Sequence, residues 1–412
     1  MSKMENEKLK VGNVPNLRFK GFEEEWESKK LGEVATVSSG GTPNRAIASY
    51  WNGSIPWVST GLINFNFINK VDEYITEEGL DNSSAKLFSQ GTLLIAMYGQ
   101  GKTRGKVAML NIEATTNQAC GAITTNKNIL NPLFAFQNLT KRYDEIRDLS
   151  NQGGQENLSA GIIKGIEINF PKIPEQQKIA SFLSLIDERI TTQNKIIGEL
   201  NVLKTTVAKK IFSQQLRFKD DVGNDFQEWE CKNLQDVCTI IGGGTPETNK
   251  IEYWNGDIQW FTPTEIKSNF VSKSERTISI SGLKNSSAKL LPKGTILLTT
   301  RATIGEVAIS LEECATNQGF QSLVVKKNYN NVFLFNWLKV NKYELEKRVN
   351  GSTFPEISKS EIEKIEIVTP CLEEQTKIAN FLSSIDQKIQ TEKQILELLE
   401  KQKKYLLQQM FI

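Results

Sequence analysis

The chain carries two copies of one long pattern, and this constrains its fold more than any other feature. Gly41–Thr42–Pro43 recurs as Gly244–Thr245–Pro246, an offset of 203 residues. Tyr50–Gly53 (YWNG) returns at Tyr253–Gly256, Trp57 at Trp260, and Asn82–Lys86 (NSSAK) at Asn285–Lys289. The offset then falls to 200 for Thr116–Gln118 and Thr316–Gln318 (TNQ), and to 199 for Glu175–Asp187 (EQQKIASFLSLID) and Glu374–Asp386 (EQTKIANFLSSID). Solenoid and propeller repeats run to about 20–50 residues and stack in larger numbers. Two copies of this length indicate a tandem duplication of a whole domain with its tail.

Each copy has a globular part and a tail. The globular part holds short apolar runs bounded by Gly, Asn, Ser and Pro: Thr92–Met97, Val107–Leu110, Thr295–Thr300 and Val307–Leu311. Runs of this length and β-branched content predict strands. Leu133–Leu139 with Tyr143–Leu149, and Val332–Val340 with Leu345–Val349, have helical spacing, so the class is α+β. The tails open on Pro171 and Pro174 before Glu175, and on Pro370 before Glu373 and Glu374, which signals helix starts. Apolar residues then recur at helical spacing: Ile179, Phe182, Leu183, Ile186, Ile190, Ile197, Leu200, Leu203, Val207 and Ile211 in one, and Ile378, Phe381, Leu382, Ile385, Ile389, Ile395, Leu396, Leu399, Leu406 and Met410 in the other. About 40 residues make a helix of roughly 60 Å. A stripe of that length needs a partner, and its duplicate is the cheapest one, as an antiparallel coiled coil with pseudo-two-fold symmetry. The alternative is that each helix packs on its own globular domain. The expected division is 1–170, a first domain; 171–215, a central helix; 216–369, a second domain; and 370–412, a C-terminal helix. Gly198 has no glycine counterpart, Glu397 standing in its place, and marks a close contact or a kink.

Composition removes whole classes of chemistry. With no histidine, the commonest general base and metal ligand is missing, and Ser-His-Asp, Cys-His and H-E-x-x-H sites are excluded. The five cysteines form no C-x-x-C pair, so neither a disulfide framework nor a zinc site is expected, and neutral thiols are. No run approaches the roughly 18 apolar residues of a membrane span. The charged opening MSKMENEKLKVGN lacks the apolar core of a secretory signal, so a cytoplasmic location is expected. Net charge is only +2, so a nucleic-acid reader of this kind needs a local basic face.

The copies agree in scaffold residues and differ in the stretches between them. After Trp57 the chain reads VSTGLINFNFINK, and after Trp260 it reads FTPTEIKSNFVSK. After the following strand it reads AMYGQGKTRGK in one copy and TTRATIGE in the other. One scaffold with two loop sets is what reading two different short sequences requires. From Asn82 to Ile112 four basic residues occur with no acid, and Lys284 to Leu311 is basic until Glu306. Candidate DNA contacts are therefore Lys86, Tyr98, Gln100, Lys102, Thr103, Arg104 and Lys106, with Thr262, Thr264, Lys289, Lys293, Arg301 and Thr303 in the second copy. Solvated basic loops are the plainer alternative. Candidate pairing residues on the tails are Ile179, Phe182, Leu183, Ile186 and Ile190, with Ile378, Phe381, Leu382, Ile385 and Ile389. No catalytic or metal-binding residues and no cofactor are expected. Ala96–Thr103 fits a loose phosphate-binding loop, but a strand rather than a helix follows it, and copy two lacks Gly-Lys-Thr. Asn131–Phe134 (NPLF) lacks the second proline of the amino-methyltransferase motif and reads as a loop entering a helix. Gly242–Gly244 reads as a tight turn in preference to an anion nest.

In the GGTP segments (Gly40–Pro43, Gly243–Pro246), YWNG-x-I-x-W (Tyr50–Trp57, Tyr253–Trp260), Met97–Ala108, the two TNQ triplets and the EQ-x-KIA-x-FLS-x-ID helix openings, the sequence resembles the type I restriction-modification specificity subunit from about Leu17 onward. The resemblance implies two target recognition domains, each reading half of an asymmetric, interrupted double-stranded DNA site. It also implies paired helices that act as a ruler and dock two modification subunits, which bind S-adenosylmethionine and methylate adenine. Restriction subunits, which use ATP, join through those. The chain itself is expected to be non-catalytic and to have no membrane partner. The competing readings are a DNA-modifying enzyme and a coiled-coil adaptor that does not touch DNA.

Overall fold

The structure, a computed structural model, describes residues 13–99, 102–149, 157–349 and 355–412. Tertiary contacts divide the chain into two units, Met1–Asn194 with Gln394–Ile412, and Lys195–Lys393. The division cuts through both long helices, Ile173–Phe212 and Leu372–Met410, so each unit holds a globular domain and segments of both.

In the first unit a five-stranded sheet has the order Ala35–Ser39, Cys120–Thr125, Leu93–Ala96, Val107–Leu110, Asn66–Ile68. A three-stranded sheet places Trp51–Val58 between Glu73–Ile75 and Thr115–Thr116. Glu27–Lys30 pairs antiparallel with Glu167–Phe170, tying the start of the domain to the strand that enters the long helix. The second unit repeats this with Cys238–Gly242, Phe320–Val325, Ile296–Thr299, Val307–Ser310, Phe270–Val271 in the larger sheet. Trp254–Phe261 lies between Arg276–Ile278 and Cys314–Thr316 in the smaller one. The helical stretches form Pro132–Lys141 and Tyr143–Asp148, then Asn331–Val340 and Lys342–Glu346. The last begins and ends earlier than its apolar spacing suggests. Asn131 caps its helix by accepting from the Leu133 and Phe134 amides, which accounts for NPLF without any cofactor.

The duplicated motifs are places where the backbone leaves no room for a side chain. A Cβ on Gly40 would stand 2.1 Å from the Thr116 carbonyl oxygen, and one on Gly41 2.3 Å from the Ser84 backbone. Gly243 and Gly244 meet Asn317 and Ser287 in the same way, so this segment is a packed corner and not an anion nest. YWNG is a β-bulge: Trp51 and Ile55 both face Ile75, and Asn52 adopts the left-handed region (φ 62°), as Asn255 does (φ 59°). A short Asn tolerates that conformation at low cost.

The helix openings are latched on the domains that precede them. Gln176 accepts from the Asn131 amide at 2.8 Å and donates to the Ile129 and Pro171 carbonyls, and Gln375 repeats the contacts to Asn330 and Pro370. Glu175, 2% exposed, takes two bonds from Arg18 at 2.7 and 2.8 Å. Glu374, fully buried, takes two from Arg217 at 3.0 and 2.9 Å.

Each core also contains both long helices. In the first unit Ile179, Leu183 and Ile186 join Trp26 and Phe134, and the far end of the second helix (Leu406, Leu407, Met410) enters the same cluster. The Phe411 ring lies 5.0 Å from Phe134. In the second unit Ile378 and Leu382 join Trp229 and Phe333, with Ala208 and Ile211 from the first helix. The apolar stripes therefore contribute to the core of their own domain, and the far end of each helix to the core of the other unit. Phe182, Ile190 and Ile385 are half-buried and Ile389 is buried, but Phe381 is 37% exposed and packs edge-on to Phe218, so it is not an interior seam residue. Leu203 and Ile395 are also exposed. A stripe read at 3.6-residue spacing is wider than the face the domains cover. Gly198 is exposed with nothing within 4 Å of a built Cβ, inside an uninterrupted helix, so it marks neither a close contact nor a break.

Equivalent ion pairs occur in the two units: Lys403 with Asp187 at 2.5 Å, and Lys204 with Asp386 at 2.6 Å. Both partners in each are about four-fifths buried. A double-mutant cycle on Asp187 and Lys403 is expected to give a coupling of roughly 1 kcal/mol. Additivity to within about 0.3 kcal/mol would mean the pair does not form in solution.

Candidate nucleic-acid interface

Three segments meet at one end of the strands in each domain. In the first, the stretch after Trp51–Val58 is tied to the TNQ loop by the Asn117 amide, which donates to the Val58 carbonyl, and by Thr60, which donates to Asn117 Oδ1 at 3.1 Å. The turn between Leu93–Ala96 and Val107–Leu110 is joined to that stretch by Lys106 Nζ, 2.7 Å from Asn64 Oδ1. In the second domain Asn317 donates to Phe261, Gly319 presses on Pro263, and Thr303 donates to the Pro263 carbonyl at 3.4 Å. Gly-Thr-Pro completes the corner: Thr42 donates to Gln118 at 2.5 Å, and Thr245 to Gln318 at 2.6 Å. Both glutamines are exposed.

The sequence-predicted contacts distribute unevenly over this end. Tyr98, Lys102, Thr264 and Thr303 are exposed on its loops, and Thr103 is half-buried. Thr262 is drawn inward, its amide and hydroxyl both donating to Glu265. Lys86 and Lys289 are exposed beside the corner, where Ser84–Ala85 and Ser287–Ala288 pack on the glycines. Among the described residues, Lys86, Lys102 and Lys289 make no ion pair. Arg301 is exposed and bonded to Glu356 at 2.8 Å. Arg104, a candidate DNA contact, is only 8% exposed: the turn that carries it folds against the domain, with Gly105 close to Arg147. Lys293 precedes Ile296–Thr299 while the loop with Arg301 follows it, so this lysine sits at the opposite end of the strand from that loop. Gln100 lies outside the described residues, as does Gly101. The residues after it form a turn and then strand Val107–Leu110, so no helix follows the Gly-Lys-Thr stretch.

The same end carries arginines that sequence patterning did not single out. Arg45 lies 3.7 Å over Trp51 and 4.9 Å over Trp57, and both its terminal nitrogens bond the Glu73 carboxylate, one at 3.1 Å. The bond holds the Glu73 carboxyl below its ordinary value and raises Arg45. In the second domain Arg276 takes the place of Glu73 opposite the central tryptophan, and lies 3.5 Å over Trp254. The charge reversal at these equivalent positions is the sequence signal that would have found it.

This end can offer hydrogen bonds, positive charge and aromatic faces. Among the described residues no cluster of Cys, Asp or Glu can hold a metal. The buried thiols of Cys238 and Cys314 are pushed up to about 12 and about 11 by desolvation, and Cys120 is raised for the same reason. Cys231 and Cys371 are exposed. Among the described residues no helix is long and apolar enough to cross a membrane.

The family model for the type I restriction modification DNA specificity domain matches residues 23–202 and 227–401. The MjaIX specificity subunit of a type I restriction enzyme from Methanocaldococcus jannaschii is 39% identical over 196 residues, 46% of this chain and 45% of that one. The chain thus spans about half the length of that relative. A putative type I restriction enzyme specificity subunit of the same organism, MjaX, is 26% identical over 97% of this chain and 94% of its own. A crystal structure of the S subunit of a type I system from M. genitalium superposes with a TM-score of 0.61 at 17% identity, over 97% of this chain and 99% of that one. Two matched domains covering most of the chain, in the order the duplication requires, leave one conclusion: this chain belongs to the type I restriction-modification specificity subunits, whose role is non-catalytic.

Proposed function

We propose that each domain reads one half of a bipartite, asymmetric DNA site, and that the two long helices pair as an antiparallel coiled coil that spaces the halves. The observation that carries this is the constancy of the corner against the variety of the tips. Gly-Thr-Pro, TNQ and their bonds repeat contact for contact, while the loops around them differ in sequence, charge and bonding. A constant frame sets register, and variable tips distinguish bases. The DNA contacts in this reading are Lys86, Tyr98, Gln100, Lys102, Thr103, Lys106, Thr262, Thr264, Lys289, Arg301 and Thr303. Arg104 acts through the shape of its turn, and Lys293 is outside the main surface.

The equivalence of Asp187–Lys403 and Asp386–Lys204 supports the pseudo-two-fold pairing of the helices. Apolar side chains left open on them, Leu185, Val202 and Leu203 on one and Leu398 and Tyr405 on the other, suit a protein partner. We assign that role to two modification subunits, with restriction subunits joining through them, in the cytoplasm where the DNA is. The division at 170, 215 and 369 belongs to the same reading.

A salt series on duplex DNA with the assembled complex tests it. Affinity is expected to fall steeply and log-linearly as salt rises, because phosphate contacts release counterions. A flat response, or no binding, would favour an adaptor that leaves DNA to its partners. Exchanging residues 1–170 for those of a relative is expected to change one half-site only.

A further inference from the structure

We infer that Arg276 is a DNA-contacting side chain of the second domain, and that Arg45, the arginine stacked on the matching tryptophans of the first, is held out of use. The inference rests on the reading that this domain binds DNA. Arg276 is exposed, and its guanidinium lies 3.5 Å over Trp254 and 5.7 Å from Trp260. Among the described residues it makes no ion pair, and Glu247, whose backbone carbonyl accepts from the Trp254 indole, has its carboxylate engaged by Lys250 at 3.1 Å. The first domain builds the same stack from a different segment. There Arg45 covers Trp51 and Trp57, but Glu73 occupies both terminal nitrogens. One tryptophan pair thus carries a neutralised guanidinium in one copy and an open one in the other.

Stacking fixes the plane of a guanidinium and leaves its edge of N–H donors facing outward, so little freedom is lost when that edge meets a ligand. The edge fits two adjacent hydrogen-bond acceptors, as presented by guanine O6 and N7 or by a phosphate. Its strand is tied to the divergent loop: Ser274 Oγ donates to the Arg276 carbonyl at 2.6 Å, and the Glu275 amide donates to Glu265, which caps Thr262. Arg276 is therefore held beside the proposed tips.

The experiment uses the assembled complex and a duplex carrying the site that methylome sequencing assigns to the parent. Arg276→Ala is expected to lower affinity roughly 10-fold. If the acceptors are a guanine edge, methylation relaxes at one base of the second half-site and Arg276→Lys fails likewise, because lysine lacks the fork. If they are a phosphate, binding weakens evenly across sequences, the salt slope falls by about 1, and Arg276→Lys retains most affinity. Glu73→Gln, which releases Arg45, is expected to strengthen binding through the first half-site. A parent complex that binds its site, with Arg276→Ala leaving affinity, salt slope and site unchanged, overturns the inference alone. A parent that shows no salt-dependent binding overturns the DNA reading of the domain and this inference with it.

Discussion

Glu374→Ala is expected to lower the thermal midpoint of the second domain by roughly 6–12 °C. The carboxylate is fully buried and accepts from Arg217 Nε, Arg217 Nη2 and the Trp229 indole nitrogen at 3.0, 2.9 and 3.1 Å. Removing it leaves a buried indole N–H with no acceptor and a half-buried guanidinium that keeps only the Phe226 and Gln227 carbonyls and the more distant Glu228. Breaking a buried charge pair from one side costs about 3–5 kcal/mol. Arg217 keeps some water contact, so about 3 kcal/mol applies, and each kcal/mol moves the midpoint by about 2–4 °C in a domain of this size. Glu175→Ala, which deprives Arg18 alone, is expected to cost less, because no indole donates to Glu175. Calorimetry reads both, since two domains can melt as two transitions. If both variants melt within a degree of the parent, the latches do not hold the helix openings to the domains.

The second large effect is on the target and not on stability. Four residues inserted beside Gly198 add about one turn and roughly 6 Å to the first long helix. At about 3.4 Å per base pair, the gap between half-sites is expected to change by one to two base pairs, with the half-site sequences unchanged. Gly198 is the place for it, being exposed and without neighbours. Methylome sequencing reads gap and half-sites together. A changed half-site, or methylation kept at the original gap, would mean the helices do not set the spacing.

Much of the fold was legible in the chain because duplication supplies an internal comparison. Residues that return after 203, 200 and 199 positions are the ones the backbone geometry demands: glycines where a Cβ would collide, an asparagine at positive φ, a glutamine and a glutamate that latch a helix. Strand and helix positions followed from apolar spacing, which is local. The site was legible only as a region. Whether a basic residue on a loop is open depends on what folds over it. Arg104 and Lys102 are two residues apart on one turn, yet one is buried and the other exposed.

The duplicated α+β domains, the two long helices, the family and the absence of histidine-based chemistry could all be read from the residues alone, because they rest on pattern and on residue identity. Three-dimensional packing was needed to show which basic side chains face solvent, that the end of each long helix completes a globular core formed mostly by distant residues, and that Arg45 is neutralised while Arg276 is not. These depend on contacts between residues far apart in the chain, such as Phe411 with Phe134 and Arg45 with Glu73, and no local spacing encodes them.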